Sequence, residues 1–204
     1  NRFCVAIIGT RDPSEQGYWW AEKASKYLTE EGITIVSGLA KGCDTAAHKG
    51  CLAVGGLTVA FLAHGLDMIY PKQNTKLAEE ILESGGCLVS EYPPKHKPLR
   101  NYFVERDRLQ SGLSNGIIVT ETDLIGGSMH TVRFAQEQNR KIGCLKYPDE
   151  TPRTKYQGNL HIFAAGIGCP LYNKTDLLKF IQSFNNSNNS KFDVGEINQQ
   201  MSFL

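Results

Sequence analysis

The sequence lacks the features that define several common classes of protein. None of its six cysteines forms a Cys-x-x-Cys pair, so we expect neither a zinc site nor a disulfide-stapled scaffold. No apolar run approaches the roughly 20 residues of a membrane-spanning helix, and no secretory signal is visible. We therefore expect a cytoplasmic protein without a membrane segment, in which most cysteines are small buried residues.

A large excess of positive or negative charge is also missing. The chain has 22 Lys and Arg against 21 Asp and Glu, a net charge of +1, so any nucleic-acid site must be a local patch. The dinucleotide motif G-x-G-x-x-G, the P-loop, the H-E-x-x-H zinc motif and the G-x-S-x-G elbow are absent as well. These absences argue against an ordinary dehydrogenase, a P-loop enzyme or a common hydrolase. We predict no catalytic residue, no metal and no cofactor.

What is present is a regular alternation of strand and helix signals. Short, nearly unbroken apolar strands are predicted at 4–9, 34–37, 58–62, 87–90, 116–120 and 142–145. Helices are predicted at 14–31, 44–54, 74–83, near 104–112, and at 128–138, 159–165 and 175–184. This pattern predicts an α/β fold over residues 1–184, with a doubly wound, mostly parallel sheet and helices on both faces, an extended Rossmann-like fold. Residues 185–204 are predicted to be a polar linker and a C-terminal tail.

Glycine turns follow three of the predicted strands, at 9–11, 37–42 and 126–128. A strand, a glycine turn and a helix start place free backbone N–H groups together, which suits a phosphate. In doubly wound sheets, ligands bind beyond the carboxyl ends of the strands. We therefore predict that the three turns converge on one phosphate site, with these candidates: Gly9, Thr10, Arg11, Ser37, Gly38, Gly127 and Ser128.

The stretch 95–108, interpreted as a polar loop with a short helix at its end, carries the main cationic cluster. Arg100, Arg106 and Arg108 lie close to Phe103, and basic residues interleaved with aromatics are typical of single-strand binding. The alternatives are a solvated loop that Phe103 anchors to the core, and arginines that pair with Glu91 or Glu121.

Three polar residues have simpler interpretations. Asp44 is predicted to cap the helix after the second glycine turn. Asn74 is predicted to cap the helix that follows it. A lone histidine such as His48 is more often a hydrogen-bonded packing residue than a catalyst.

Several motifs in this order resemble the DNA-processing protein A family, also called DprA or Smf. The resemblance covers about residues 3 to 172 and rests on these stretches: Val5-Ala6-Ile7-Ile8-Gly9-Thr10-Arg11, Ser37-Gly38-Leu39-Ala40-Lys41-Gly42-Cys43-Asp44, Tyr70-Pro71 with Asn74, Phe103-Val104-Glu105-Arg106-Asp107-Arg108, and Gly127-Ser128 with Thr131.

The resemblance implies an extended Rossmann-like domain that binds single-stranded DNA, dimerises, and helps to load the RecA recombinase during transformation, without an established catalytic activity. It implies DNA contacts at Arg11, Arg100 and Phe103, with Gly38, Arg106 and Ser128 near the same pocket. One departure lies in the site, since Asp107 stands where the family usually has asparagine.

Two other functions remain open. One is a sensor that binds a small nucleotide signal in the same pocket. The other is a phosphoribohydrolase like the cytokinin-activating LOG-like enzymes, whose motif is P-G-G-x-G-T-x-x-E. Here Ile125 stands in place of the proline and Phe134 in place of the catalytic glutamate, which argues against that enzyme.

Overall fold

The structure is a computed structural model that describes residues 3–148 and 155–184 of the chain. Its centre is one sheet of seven parallel strands in the order β4-β3-β2-β1-β5-β6-β7. The strands are β1 Cys4–Ile8, β2 Thr34–Ser37, β3 Thr58–Phe61, β4 Cys87–Val89, β5 Gly116–Val119, β6 Lys141–Leu145 and β7 Cys169–Leu171. The strand order reverses between β1 and β5, so the crevice for a ligand is expected at the carboxyl ends of those two strands.

Helices cover both faces of the sheet, because successive residues of each strand point to opposite sides. Val5 and Ile7 pack against α1 Glu15–Glu30, α2 Cys43–Leu52 and α7 Lys174–Gln182. Ala6 and Ile8 pack against α5 Ser128–Glu137 and α6 Gln157–Ala164, with Leu109 of α4 Arg100–Leu113 at the border of that cluster. The remaining helix, α3 Thr75–Glu83, follows a short 3₁₀ turn, Lys72–Asn74. It covers the β3 side of the sheet. The predicted doubly wound Rossmann-like fold is confirmed.

Two elements differ from the prediction. The helix α4 begins at Arg100, where a loop was expected. Its buried side is made of polar side chains, Arg106, Asp107, Gln110 and Ser111, so the apolar periodicity that identifies a helix is absent. The strand β7 was not predicted from the sequence. It is only three residues long and contains Pro170, which an edge strand tolerates.

The cysteines divide by their place in the sheet. None of the six forms a disulfide; Cys43, Cys51 and Cys144 are buried and Cys4 is half-buried. Cys87 and Cys169 are exposed, because they begin the two edge strands. The predicted burial therefore holds for Cys43, Cys51 and Cys144 and in part for Cys4, but not for Cys87 and Cys169.

The predicted linker and tail at 185–204 lie outside the described residues. Within the described part, no helix has both the length and the apolar composition needed to cross a membrane.

Candidate nucleic-acid interface

A cavity of about 690 Å³ opens at the carboxyl ends of β1 and β5. It lies between the turns that follow these strands, with α4 as one wall and the start of α5 as another. Eight of the predicted site residues line it: Gly9, Thr10, Arg11, Arg100, Phe103, Arg106, Gly127 and Ser128. The predicted convergence of the three turns at one point is therefore present in the structure, although the second turn reaches the cavity only through Ala40.

The turn after β1 is fixed from both sides. The Thr10 amide donates to the Glu121 carbonyl (2.6 Å), and the Thr10 carbonyl accepts from the Cys43 amide (3.2 Å). The Glu121 carboxylate in turn accepts from the amide and the hydroxyl of Ser14, at 2.8 and 2.7 Å, just before α1. These bonds leave the exposed Arg11 at the cavity rim on a rigid support.

The turn after β2 differs from the prediction. Asp44 does not cap α2, whose N-cap residue is Gly42 with a φ of 75°. Its buried carboxylate accepts instead from the amides of Gly38 (3.2 Å) and Ala40 (3.3 Å). Two amides expected to be free for a phosphate are therefore bonded inside the protein. Ser37 is also turned inward, since its hydroxyl donates to the Ile7 carbonyl at 2.7 Å.

Asn74 likewise acts elsewhere than expected. It is the N-cap residue of α3, but its side chain makes no capping bond. Its Nδ2 donates to the Leu39 carbonyl (2.8 Å) and to Thr45 Oγ1 (2.9 Å). Asn74 therefore fastens the segment before α3 to the turn after β2.

Arg106 is the structural centre of the cavity floor. It is only 4% exposed. Its Nη1 donates to the carbonyls of Gly38 (2.8 Å) and Phe61 (2.6 Å), and its Nε lies 3.2 Å from Asp107 Oδ1. A Cβ at Gly38 would overlap Arg106 Nη1, so this contact requires glycine. The guanidinium thus joins α4 to the ends of β2 and β3.

The cations available to a ligand lie on the rim. Arg11 and Arg100 are exposed, and the Arg11 Cζ lies 4.9 Å from the centroid of the Phe103 ring. Arg108 points away from the cavity and forms an ion pair with Glu91, one of the predicted alternatives. Gly38 and Ser37 are not part of the lining either.

The turn after β5 supplies the opposite wall. The amides of Met129 and His130 donate to the carbonyls of Gly126 and Gly127, both at 3.0 Å. The candidates for holding a phosphate here are therefore the Gly127 amide and the amide and hydroxyl of Ser128, at the start of α5.

Several lining residues were not predicted from the sequence, among them Lys155, His130 and Gln110. Lys155 belongs to no motif recognised in the sequence. Gln110 was recognisable in principle, because a helix over this stretch places Gln110 on the same face as Phe103 and Asp107. His48, by contrast, is the predicted packing residue: it is buried, and its Nδ1 lies 2.8 Å from Thr58 Oγ1.

Two buried carboxyl groups flank Arg106. Burial raises the pKa of Asp44, although Arg106 opposes the change. Burial also raises the pKa of Asp107 to about 7, against the opposing charge of Arg106, and the neighbouring Asp44 adds to the rise. The cavity floor therefore gains negative charge as the pH increases through neutrality.

Replacing Asp107 with asparagine is expected to change how stability depends on pH. A raised folded-state pKa means that the folded protein holds the proton that the unfolded chain has lost, so the wild type loses stability as the pH rises from about 4 through 7. Asp107→Asn removes this loss, so its free energy of unfolding relative to wild type should be about 2 kcal/mol higher at pH 8 than at pH 5. Urea unfolding at pH 5 and pH 8 measures the difference.

Burial and the charge of Arg106 lower the pKa of His48 to about 3, so His48 makes stability rise with pH. Because His48 is present in both Asp107→Asn and wild type, its contribution cancels in the comparison of the two. The matched control is Glu30→Gln, an exposed carboxylate on α1. An equal difference between Asp107→Asn and wild type at both pH values would contradict the raised pKa of Asp107.

The fold and the cavity define a class, the Rossmann-like domains that hold a ligand at the switch point of a parallel sheet. The chain belongs to the DNA recombination-mediator protein A family, whose sequence model matches residues 1–182.

Relatives of known name agree with this assignment. The Smf protein of Escherichia coli K12 is 43% identical over 152 residues, which are 74% of this chain and 41% of that relative. The chain thus spans less than half the length of this curated relative. The crystal structure of DprA from Streptococcus pneumoniae matches with a TM-score of 0.78 at 36% identity, over 87% of this chain and 61% of that one. A DprA structure from Helicobacter pylori, described for its single-stranded DNA binding, has a TM-score of 0.79 at 30% identity, over 91% and 81% of the two chains.

Proposed function

We propose that this domain binds single-stranded DNA at the cavity beyond β1 and β5 and takes part in DNA processing. One observation carries the proposal: two exposed guanidinium groups, Arg11 and Arg100, lie at the rim of one cavity together with the Phe103 ring. Guanidinium groups bind phosphates, while aromatic rings stack on bases without regard to sequence. The binding described for the Helicobacter pylori relative supports the same assignment.

The proposed contacts divide by chemistry. Arg11, Arg100 and the start of α5 at Gly127 and Ser128 hold phosphates, and Phe103 contacts a base. Gly9 and Thr10 shape the first turn. Ser37, Gly38 and Arg106 support the site from within, and Arg108 lies beside it in its pair with Glu91.

Several further properties of the family are proposed for this chain. They are a homodimer, a RecA-type recombinase as a partner that receives the DNA, and action in the cytoplasm. We also propose that residues 1–184 form the functional domain, and that residues 185–204 form a linker and a tail.

Binding without catalysis is the proposed mode of action. Phe134, at the position of the LOG-like glutamate, lies outside the cavity lining, and Arg133 lies 5.0 Å from its ring centroid. The carboxyl groups of the cavity floor, Asp44 and Asp107, are engaged by backbone amides, Arg106 and Gln110.

Fluorescence anisotropy with a labelled 30-nucleotide oligothymidylate tests the proposal against a duplex of equal length. Binding should favour the single strand. It should also weaken with salt, with a slope of log K against log salt of about −0.7 for each phosphate that the protein neutralises. Absence of binding by the folded protein at low salt would overturn the proposal.

A nucleotide sensor is the second candidate, because a cavity of about 690 Å³ has the size of a small-molecule site. Mononucleotides and cyclic nucleotides tested by thermal shift, and as competitors of the oligothymidylate, distinguish the two. Stabilisation by a mononucleotide, without binding of the oligothymidylate, would establish the sensor.

A further inference from the structure

An exposed aromatic ring beside the cavity has no role in the site described so far. Tyr70 is 46% exposed, and its ring centroid lies 5.9 Å from that of Phe103 at an angle of 55°. Arg11 contacts the same Phe103 ring at 4.9 Å. Tyr70, Phe103 and Arg11 thus form a continuous series, which we call the rim stack.

Within the rim stack, Tyr70 offers more free surface than Phe103. Phe103 is half-buried, and Arg11 and Tyr70 both contact its ring. Part of the Phe103 ring is therefore already occupied inside the protein. Tyr70 leaves a large part of its side chain to the solvent, where a base can reach it.

The position of Tyr70 is fixed by contacts to the site itself. Four residues later, the buried Asn74 donates to the Leu39 carbonyl and to Thr45 Oγ1, in the region of the second glycine turn. The Asn74 amide also donates to the Pro71 carbonyl at 2.9 Å. These bonds hold the segment that carries Tyr70 against the wall of the cavity, so its ring is pre-positioned for a ligand.

We propose that Tyr70 is a second base-stacking residue, so that the strand is held by two bases, one on Tyr70 and the other at Phe103. This inference rests on the proposed binding of single-stranded DNA and extends its contact site beyond the cavity. A tyrosine ring stacks on any base, so the added contact strengthens binding without selecting a sequence.

Substitution of Tyr70 tests the inference. Tyr70→Ala should weaken binding of a 30-nucleotide oligothymidylate by about 5- to 150-fold, the range for loss of one base–aromatic stack. Tyr70→Phe keeps the ring and should bind within about twofold of wild type. The matched control is Tyr172→Ala, which removes an aromatic side chain of similar exposure, 38%, beside the edge strand β7.

A second measurement separates stacking from mere support of Phe103. Single 5-iodouracil bases are placed along the oligonucleotide, and the photocrosslinked peptide is identified by mass spectrometry. A crosslink at Tyr70 is expected in wild type. A crosslink confined to Phe103, together with weaker binding by Tyr70→Ala, would overturn direct stacking and leave Tyr70 as a support.

The outcomes also separate this inference from the proposed function. If wild type binds the oligothymidylate and Tyr70→Ala binds equally well, only the role of Tyr70 is overturned. If wild type does not bind, the proposed function fails and this inference fails with it.

Discussion

Replacing both Arg11 and Arg100 with alanine is expected to weaken binding of single-stranded DNA by about 100- to 20,000-fold, since hydrogen bonds to charged groups contribute about 1.5 to 3 kcal/mol each. Both side chains are exposed at the cavity rim, and each carries a guanidinium that can bind a phosphate through two nitrogens. Arg11→Ala also removes the contact with Phe103. Anisotropy with a labelled oligothymidylate measures the loss.

The salt dependence of the same variant gives an independent check. Two lost phosphate contacts should make the slope of log K against log salt shallower by about 1.4. Because both residues are on the surface, the free energy of unfolding should stay within about 0.5 kcal/mol of wild type.

The matched control is Lys26→Ala with Arg133→Ala, which removes the same charge from exposed helix positions outside the cavity. Equal losses in the two double variants would mean that net charge, rather than the cavity rim, determines binding.

The sheet was predictable because a parallel strand buried on both faces is a short apolar run, as in Val5 to Ile8. The start of α4 was not, because its inner face replaces apolar residues with Arg106, Asp107 and Gln110. A buried polar helix face has no apolar period to detect. The partners of Arg106, the Gly38 and Phe61 carbonyls, lie 68 and 45 residues away in sequence.

The site was predictable in its location but not in its hydrogen bonds. The switch-point rule correctly brings the first and third glycine turns together. Which amides remain free depends on the direction that the Asp44 side chain takes: its carboxylate reaches back to the amides of Gly38 and Ala40, six and four residues earlier, instead of capping the helix that follows. Helical spacing would also have separated Arg106 from Arg108, because residues two apart do not share a face.

The largest effect on stability is expected from Arg106→Met. The substitution keeps the volume and the apolar stem but leaves Asp44 and Asp107 without their buried counter-charge. It also leaves the carbonyls of Gly38 and Phe61 without this donor. Breaking a buried ion pair by removing one partner costs about 3 to 5 kcal/mol, and we expect this loss in urea unfolding at pH 8. Arg108→Met, whose exposed pair with Glu91 is screened by water, should cost less than about 1 kcal/mol.

The pH dependence identifies the cause of that loss. Without the Arg106 charge, the pKa of Asp107 rises above its already raised value, so at pH 5.5 the carboxyl is neutral and the penalty shrinks. The double variant Arg106→Met/Asp107→Asn should recover part of the stability at pH 8, and it also serves if Arg106→Met does not fold there. Equal losses at both pH values, without recovery in the double variant, would assign the role of Arg106 to its hydrogen bonds with β2 and β3 rather than to its charge. In either case Arg106 supports the cavity from its floor, because Nη1 donates to two backbone carbonyls and Nε lies 3.2 Å from the Asp107 carboxylate.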